Sequence, residues 1–176
     1  RALEEKYPEF RSPDSPSQRI GGESLKKFEK VRHAHRQWSL DDAFLFDEVK
    51  KWEEKILRIL DKKFKIQNSK FKIPLEYCAE IKIDGLKIIL TYKKGLLVQA
   101  ATRGDGTIGE NVTEQVKTIQ SVPLKLNEPI DITVVGEAWM KKSDLEKTNK
   151  TREKEGLPPF ANSRNAAAGS IRQLDP

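Results

Sequence analysis

The hydrophobic period changes near residue 70, and that change limits the fold more than any other feature of the chain. Leu45, Val49, Trp52, Ile56 and Ile59 recur at steps of four, three, four and three. That spacing puts them on one face of a helix. Residues 39 to 60 are therefore expected to be helical, with Ser39 as the cap and Asp42 three places on. From about 71 to 103 the period is two. KFKIPLEY, EIKID, KIILTY and LLVQAATR read as strands, with a hairpin turn at 93 to 95.

The remainder mixes the two types. Residues 110 to 119 read as a short helix with Val112, Val116 and Ile119 on one side, and 131 to 140 as a strand. Ser143 with Glu146 forms a capping box for a helix that stops at Gly156. Residues 164 to 173 are helix-permissive although they hold a glycine. RSPDSPSQ, 11 to 18, reads as a linker or irregular loop. Strands and helices intermix without regular βαβ spacing, so the expected class is α+β with mostly antiparallel sheet.

A chain of 176 residues has room for one domain, or one domain with part of a neighbour. Its 34% charged and 36% apolar residues fit a soluble protein, and no apolar run approaches membrane-spanning length. The net charge of +6, from 33 basic and 27 acidic residues, is compatible with a polyanionic partner, but charge alone favours plain solubility. One cysteine, Cys78, leaves no intrachain disulfide and no zinc cluster in this segment. His33 and His35 read as surface residues, Trp38 and Trp52 as core.

The charges in EIKIDG need an explanation. In a strand, Glu80, Lys82 and Asp84 would share one face, while Ile81 and Ile83 would bury on the other. One reading is a surface ladder in which Lys82 pairs with two acids. The other is a reactive amine. A nucleophilic lysine must first lose its proton, which costs roughly 4 to 5 kcal/mol at pH 7 from a reference pKa of about 10.4. Flanking carboxylates raise that cost unless cations offset them. Downstream, TRGDGTIGE, 102 to 110, is a glycine-rich loop of the kind that can present backbone N–H groups to an anion.

Lys82-Ile83-Asp84-Gly85 resembles the K-x-D-G signature of the nucleotidyltransferases, which include DNA ligases, RNA ligases and capping enzymes. SPDSPSQRIGG at 12 to 22, SLDDAF at 39 to 44, AATRGDGTIGENVT at 100 to 113 and FANSRNAAAGSIRQLDP at 160 to 176 are far more specific. In that order they resemble the bacterial NAD⁺-dependent DNA ligases. RQWSLDD carries Arg, Gln and Trp where that family usually has Pro, Met and Leu.

The resemblance implies a nucleotidyltransferase (ATP-grasp-like) fold, here incomplete. It makes residues 1–11 the tail of an N-terminal nicotinamide-mononucleotide-binding domain and 12–176 a partial adenylation domain. It implies that Lys82 attacks the α-phosphorus of NAD⁺ and becomes lysyl-AMP, with Asp84 orienting the lysine and a metal. Ser39, Leu40, Glu80, Arg103 and Glu137 would bind the nucleotide, Glu137 through the ribose or a metal. Arg164 and Arg172 would approach DNA and AMP phosphates. It further implies Mg²⁺, nicked duplex DNA as partner, roles in replication and repair, a monomer, and a bacterial cytoplasmic location at the nucleoid. The segment alone is expected to seal no nick. The rivals are an ATP- or GTP-dependent RNA ligase or capping-type enzyme, and a non-catalytic nucleic-acid-binding module.

Overall fold

The structure is a computed structural model that describes residues 2–19, 27–64 and 75–174. The chain divides into two compact units, one of Arg1–Gln37 with Lys82–Pro176 and one of Trp38–Ile81. Each is taken by itself.

The larger unit is built on an antiparallel hairpin. Strands β2 (Leu86–Lys93) and β3 (Leu96–Thr102) pair from Ile88 opposite Thr102 to Lys93 opposite Leu96, with a shift of register between Thr91 and Tyr92. The turn between them is Lys94 and Gly95, both at positive φ. Two consecutive left-handed residues match the twist of a hairpin, as the sequence predicts for 93 to 95. Strand β5 (Ile132–Ala138) pairs antiparallel on the other side of β2, giving the order β3-β2-β5. The short strands β1 (Lys30–Arg32) and β4 (Ile108–Glu110) make a separate antiparallel ribbon. Every pairing among the described residues is antiparallel, and helices pack against the sheet, as expected for α+β.

Alternation along β2 decides where the core lies. Ile88 joins Ala100, Val112, Val116 and Ile171 in one buried cluster, and Tyr92 joins Leu97 and Leu124 in another. The first cluster packs helices α3 (Thr113–Lys117) and α5 (Ser163–Ile171) on the sheet. Helix α4 (Lys142–Lys154) ends just before Gly156, whose φ of 72° stops it where the sequence predicts.

The segment read as a linker is tied down at its end. Arg19 donates to the carbonyls of Lys117, Ile119 and Val122 at 2.9–3.0 Å, where α3 finishes. A short helix α1 (Ala2–Lys6) precedes it.

Several expectations are corrected. In the smaller unit, helix α2 spans Phe46–Phe64, not 39–60, and Ser39 does not cap it. Glu48 takes that role, its carboxylate accepting from Phe44 N–H at 2.6 Å and Leu45 N–H at 3.2 Å. A glutamate reaching back from the first turn satisfies N–H groups at and before the helix start, whereas a capping serine would accept from N–H groups inside the first turn. Helix α4 likewise begins at Lys142, with Lys141 before it and no side-chain cap, so Ser143 lies inside. Trp38 and Trp52 are exposed rather than core. Periodicity identifies an apolar face but not what covers it; Trp52 meets the Tyr77 ring at 6.1 Å. His33 is half-buried, with Nε2 3.1 Å from the Arg103 carbonyl.

The largest correction concerns 75–84. These residues form no strand. Part of KFKIPLEY, residues 70–74, lies outside the described residues. Ile81 is 87% exposed and Ile83 is 42% exposed, so neither is buried as alternation would require.

Candidate active site

The approach to β2 is fixed by Gly85. A Cβ at this position would overlap the carbonyl oxygen of Ala138 and stand 3.1 Å from Glu137 Cγ. Only glycine lets the incoming chain run this close to β5. Lys82 and Asp84 are thereby delivered to the wall of one cavity of about 590 Å³, opposite Trp139, Leu145 and Asn162. Glu137, on β5 across from Lys87, lies next to Gly85.

Helix α5 supplies the positive charge. Asn162 caps it by accepting from the Asn165 N–H at 2.8 Å, which sets the first turn beside Asp84. Arg164 Nη1 then donates to Asp84 Oδ1 at 3.3 Å. Arg164 also lines a second cleft, of about 500 Å³, together with Lys30, Lys87, Arg103, Glu110 and Arg172. Arg164 thus lines the second cleft and reaches the first only through its bond to Asp84. At the other end of α5, Arg172 forms a two-pronged pair with Glu110, Nε to Oε2 and Nη2 to Oε1, each 3.0 Å.

The glycine-rich loop between β3 and β4 is occupied by its own residues. Asp105 Oδ1 accepts from the N–H groups of Thr107 at 2.7 Å and Ile108 at 2.8 Å. The Asp105 N–H donates to Ile108 O and the Gly106 N–H to Arg103 O. The N–H bonds from Ile108 and Thr107 hold the Asp105 carboxyl below its usual range. The amides of 105 to 108 are thus committed internally, which corrects the expectation that this loop offers them to an anion. What the loop does hold is Arg103, whose Nε faces the Gln37 carbonyl at 3.5 Å.

The residues predicted for the site fall into two groups. Lys82, Asp84, Arg103, Glu137, Arg164 and Arg172 all belong to the larger unit. Ser39, Leu40 and Glu80 belong to the smaller one, where all three are exposed and Glu80 sits 3.9 Å from Cys78 Sγ. The proposed common strand face of Glu80, Lys82 and Asp84 does not exist, because the stretch is not a strand. Glu110, which the sequence reading did not single out, also lines the second cleft. It stands inside the glycine-rich motif, but its partner lies 62 positions away.

For a metal ion, Asp84 offers a carboxylate in the Lys82 cavity and Glu137 one that lines a separate cavity. No three His, Cys, Asp or Glu side chains gather among the described residues. That donor set suits Mg²⁺, which keeps several waters and needs only one or two carboxylates when phosphates are present.

Comparison with known proteins gives the family. The family model of the NAD-dependent DNA ligase adenylation domain matches residues 25–176. A DNA ligase of Natranaerobius thermophilus is 49% identical over 174 residues, 99% of this chain and 25% of its own length. One from Carboxydothermus hydrogenoformans is 49% identical over 176 residues, and one from Halothermothrix orenii 50% over 174. They too match 99% of this chain, which spans 25% and 24% of their lengths. The chain therefore spans about a quarter of the curated relatives it matches, and it belongs to the NAD-dependent DNA ligase adenylation domain family.

Proposed function

We propose that this chain is the nucleotide-charging part of an NAD⁺-dependent DNA ligase and that Lys82 is its nucleophile. The observation that carries the reading is the shared cavity of Lys82 and Asp84, with Arg164 clamped on the Asp84 carboxylate. The sequence poses a difficulty: acids beside a lysine raise the cost of deprotonating it. Arg164 on Asp84 is the kind of positive partner that such an acid calls for.

In this reading the neutral Lys82 amine attacks the α-phosphorus of NAD⁺. A P–N bond forms, the P–O bond to nicotinamide mononucleotide breaks, and the leaving group departs with the electron pair. The 5′-phosphate of a nicked duplex then displaces Lys82 from AMP. Finally the 3′-hydroxyl displaces AMP and closes the strand. Phosphoryl transfer of this kind depends on placement and on positive charge around the phosphorus. Arg103, Arg164 and Arg172 supply that charge from one cleft, with Arg164 and Arg172 approaching the DNA and AMP phosphates. Asp84 and Glu137 would hold Mg²⁺, which contributes further positive charge when bound. Glu137 would alternatively take the ribose, and Ser39, Leu40 and Glu80 the adenosine.

The remaining parts of the reading follow the family. The fold is ATP-grasp-like. Residues 1–11 are the end of the nicotinamide-mononucleotide-binding domain and 12–176 part of the adenylation domain. The full-length protein works as a monomer in the bacterial cytoplasm, at the nucleoid, in replication and repair. No described helix is long and apolar enough to cross a membrane. The 176 residues alone are expected to seal no nick.

The test uses the full-length protein incubated with NAD⁺ and Mg²⁺, then digested for mass spectrometry. An AMP adduct is expected on Lys82 and should vanish in Lys82→Ala. An adduct elsewhere removes the nucleophile assignment. Turnover that survives Lys82→Ala would instead favour a binding module built on the basic cleft.

A further inference from the structure

We infer that Glu110 is a positioning residue for Arg172, fixing which edge of its guanidinium faces a DNA phosphate. The inference rests on the reading of Arg172 as a phosphate contact.

The geometry is specific. Glu110 binds the Nε/Nη2 edge of Arg172 with both carboxylate oxygens at 3.0 Å. A guanidinium has five N–H donors in one plane, so this fork uses two and leaves the Nη1 edge outside the pair. A second planar or tetrahedral anion can be met two-pronged on that edge. An arginine held on one side in this way loses its rotational choices before the phosphate arrives.

Glu110 is itself anchored. It ends β4, paired opposite Lys30, and its N–H donates to the hydroxyl of buried Thr102 at 3.0 Å. Arg172 is the residue that closes α5, its N–H donating to Ala168 and Ser170 carbonyls. The pair thus joins the ribbon to the helix across the cleft that also holds Arg103 and Arg164. A carboxylate in a cleft meant for phosphate would otherwise be unfavourable. Engaging one arginine edge gives it a role that does not compete with the phosphate.

The test is binding of the full-length protein to nicked duplex DNA at fixed salt, with Glu110→Ala, Glu110→Gln, Arg172→Ala and the double variant Glu110→Ala/Arg172→Ala. The pair is partly exposed, so the expected weakening in Glu110→Ala is about threefold to tenfold. Glu110→Gln keeps one acceptor oxygen and the same shape, and should fall between wild type and Glu110→Ala. In the Arg172→Ala background Glu110→Ala should add nothing, because its effect acts through the missing arginine.

Unchanged binding in Glu110→Ala beside weakened binding in Arg172→Ala overturns the inference and leaves the phosphate reading standing. Tighter binding in Glu110→Gln overturns it by making the carboxylate a competitor. A loss that persists undiminished in the double variant overturns it as well. Unchanged binding in Arg172→Ala overturns the phosphate reading and this inference together. If Glu110→Ala does not fold, Glu110→Gln alone decides, with weaker binding expected.

Discussion

Two stretches meet at the same end of the β2–β3 hairpin and are held in opposite ways. The chain enters β2 through Lys82, Ile83 and Asp84, and it leaves β3 through Arg103 and the glycine-rich loop. The leaving loop is closed on itself, with four amides from 105 to 108 bonded inside it. The entering stretch is in no strand, is exposed, and is fixed by Gly85 at one end and by Arg164 on Asp84. A loop that satisfies its own backbone is a rigid mount for a side chain such as Arg103. A stretch held by one close approach and one ion pair can shift its lysine as phosphate, metal or arginine come and go. Arg103 and Lys82 are thus placed on different kinds of backbone.

The strongest way to break this contrast is at Gly104. Its φ is 57°, and a Cβ there would overlap the Ile108 carbonyl oxygen. Gly104→Ala is expected to destabilise the chain by roughly 3 kcal/mol or more, since both left-handed backbone and a backbone clash act together. Gly136 on β5 has nothing within 4 Å of its would-be Cβ. Gly136→Ala should therefore change stability by no more than about 0.5 kcal/mol. Denaturant unfolding of the two variants side by side decides; equal midpoints would mean that the loop is not rigidly built.

A smaller effect is expected at Thr102, which ties the loop's far end to β3. Its buried hydroxyl receives the Glu110 N–H. Thr102→Val keeps the shape and strands that donor, at a cost of about 1 to 3 kcal/mol. The same variant should also weaken the grip of Glu110 on Arg172, which unfolding and nick binding would report separately.

Asp105 tests the loop by pH. Its carboxyl is held below the usual range by the N–H groups of Ile108 and Thr107. A folded-state value below the unfolded one stabilises the fold above the unfolded pKa of about 3.9. That contribution disappears as pH falls through the folded value. The amide shifts of Thr107 and Ile108, followed by NMR, should titrate with a midpoint below the ordinary aspartate range. A midpoint at or above that range would remove the internal brace from the loop.

The contrast also explains what could be read from sequence. The turn at 93–95, the strand at 131–140 and the stop at Gly156 were legible because each depends on residues close in the chain. The helix start at Ser39 was not, because the cap comes from inside the helix, where Glu48 takes the Phe44 and Leu45 N–H groups. The absence of a strand through Lys82 was not, because alternation of charge and isoleucine fits an exposed extended chain as well as a paired one. Arg164 and Arg172 were singled out by resemblance alone. Their carboxylate partners, Asp84 and Glu110, lie 80 and 62 positions away, and no local pattern encodes such a pairing.

Ile81 gives the smallest expected effect and the finest test of the contrast. Alternation in a strand would bury it, and an isoleucine buried on folding is worth about 1.5 to 3 kcal/mol. With 87% of its surface exposed, it has little burial to lose, so Ile81→Ser in this chain should move the unfolding free energy by no more than about 0.5 kcal/mol. A cost near that of a buried isoleucine would mean that the stretch before Lys82 is a covered strand after all. Lys82 would then stand on backbone as constrained as that of Arg103, and the distinction between mount and moving group would no longer hold. Repeating the measurement in the full-length protein sharpens the point. A cost that arises only there would place the cover for Ile81 in the rest of the ligase, and would make the order around Lys82 something the whole enzyme imposes.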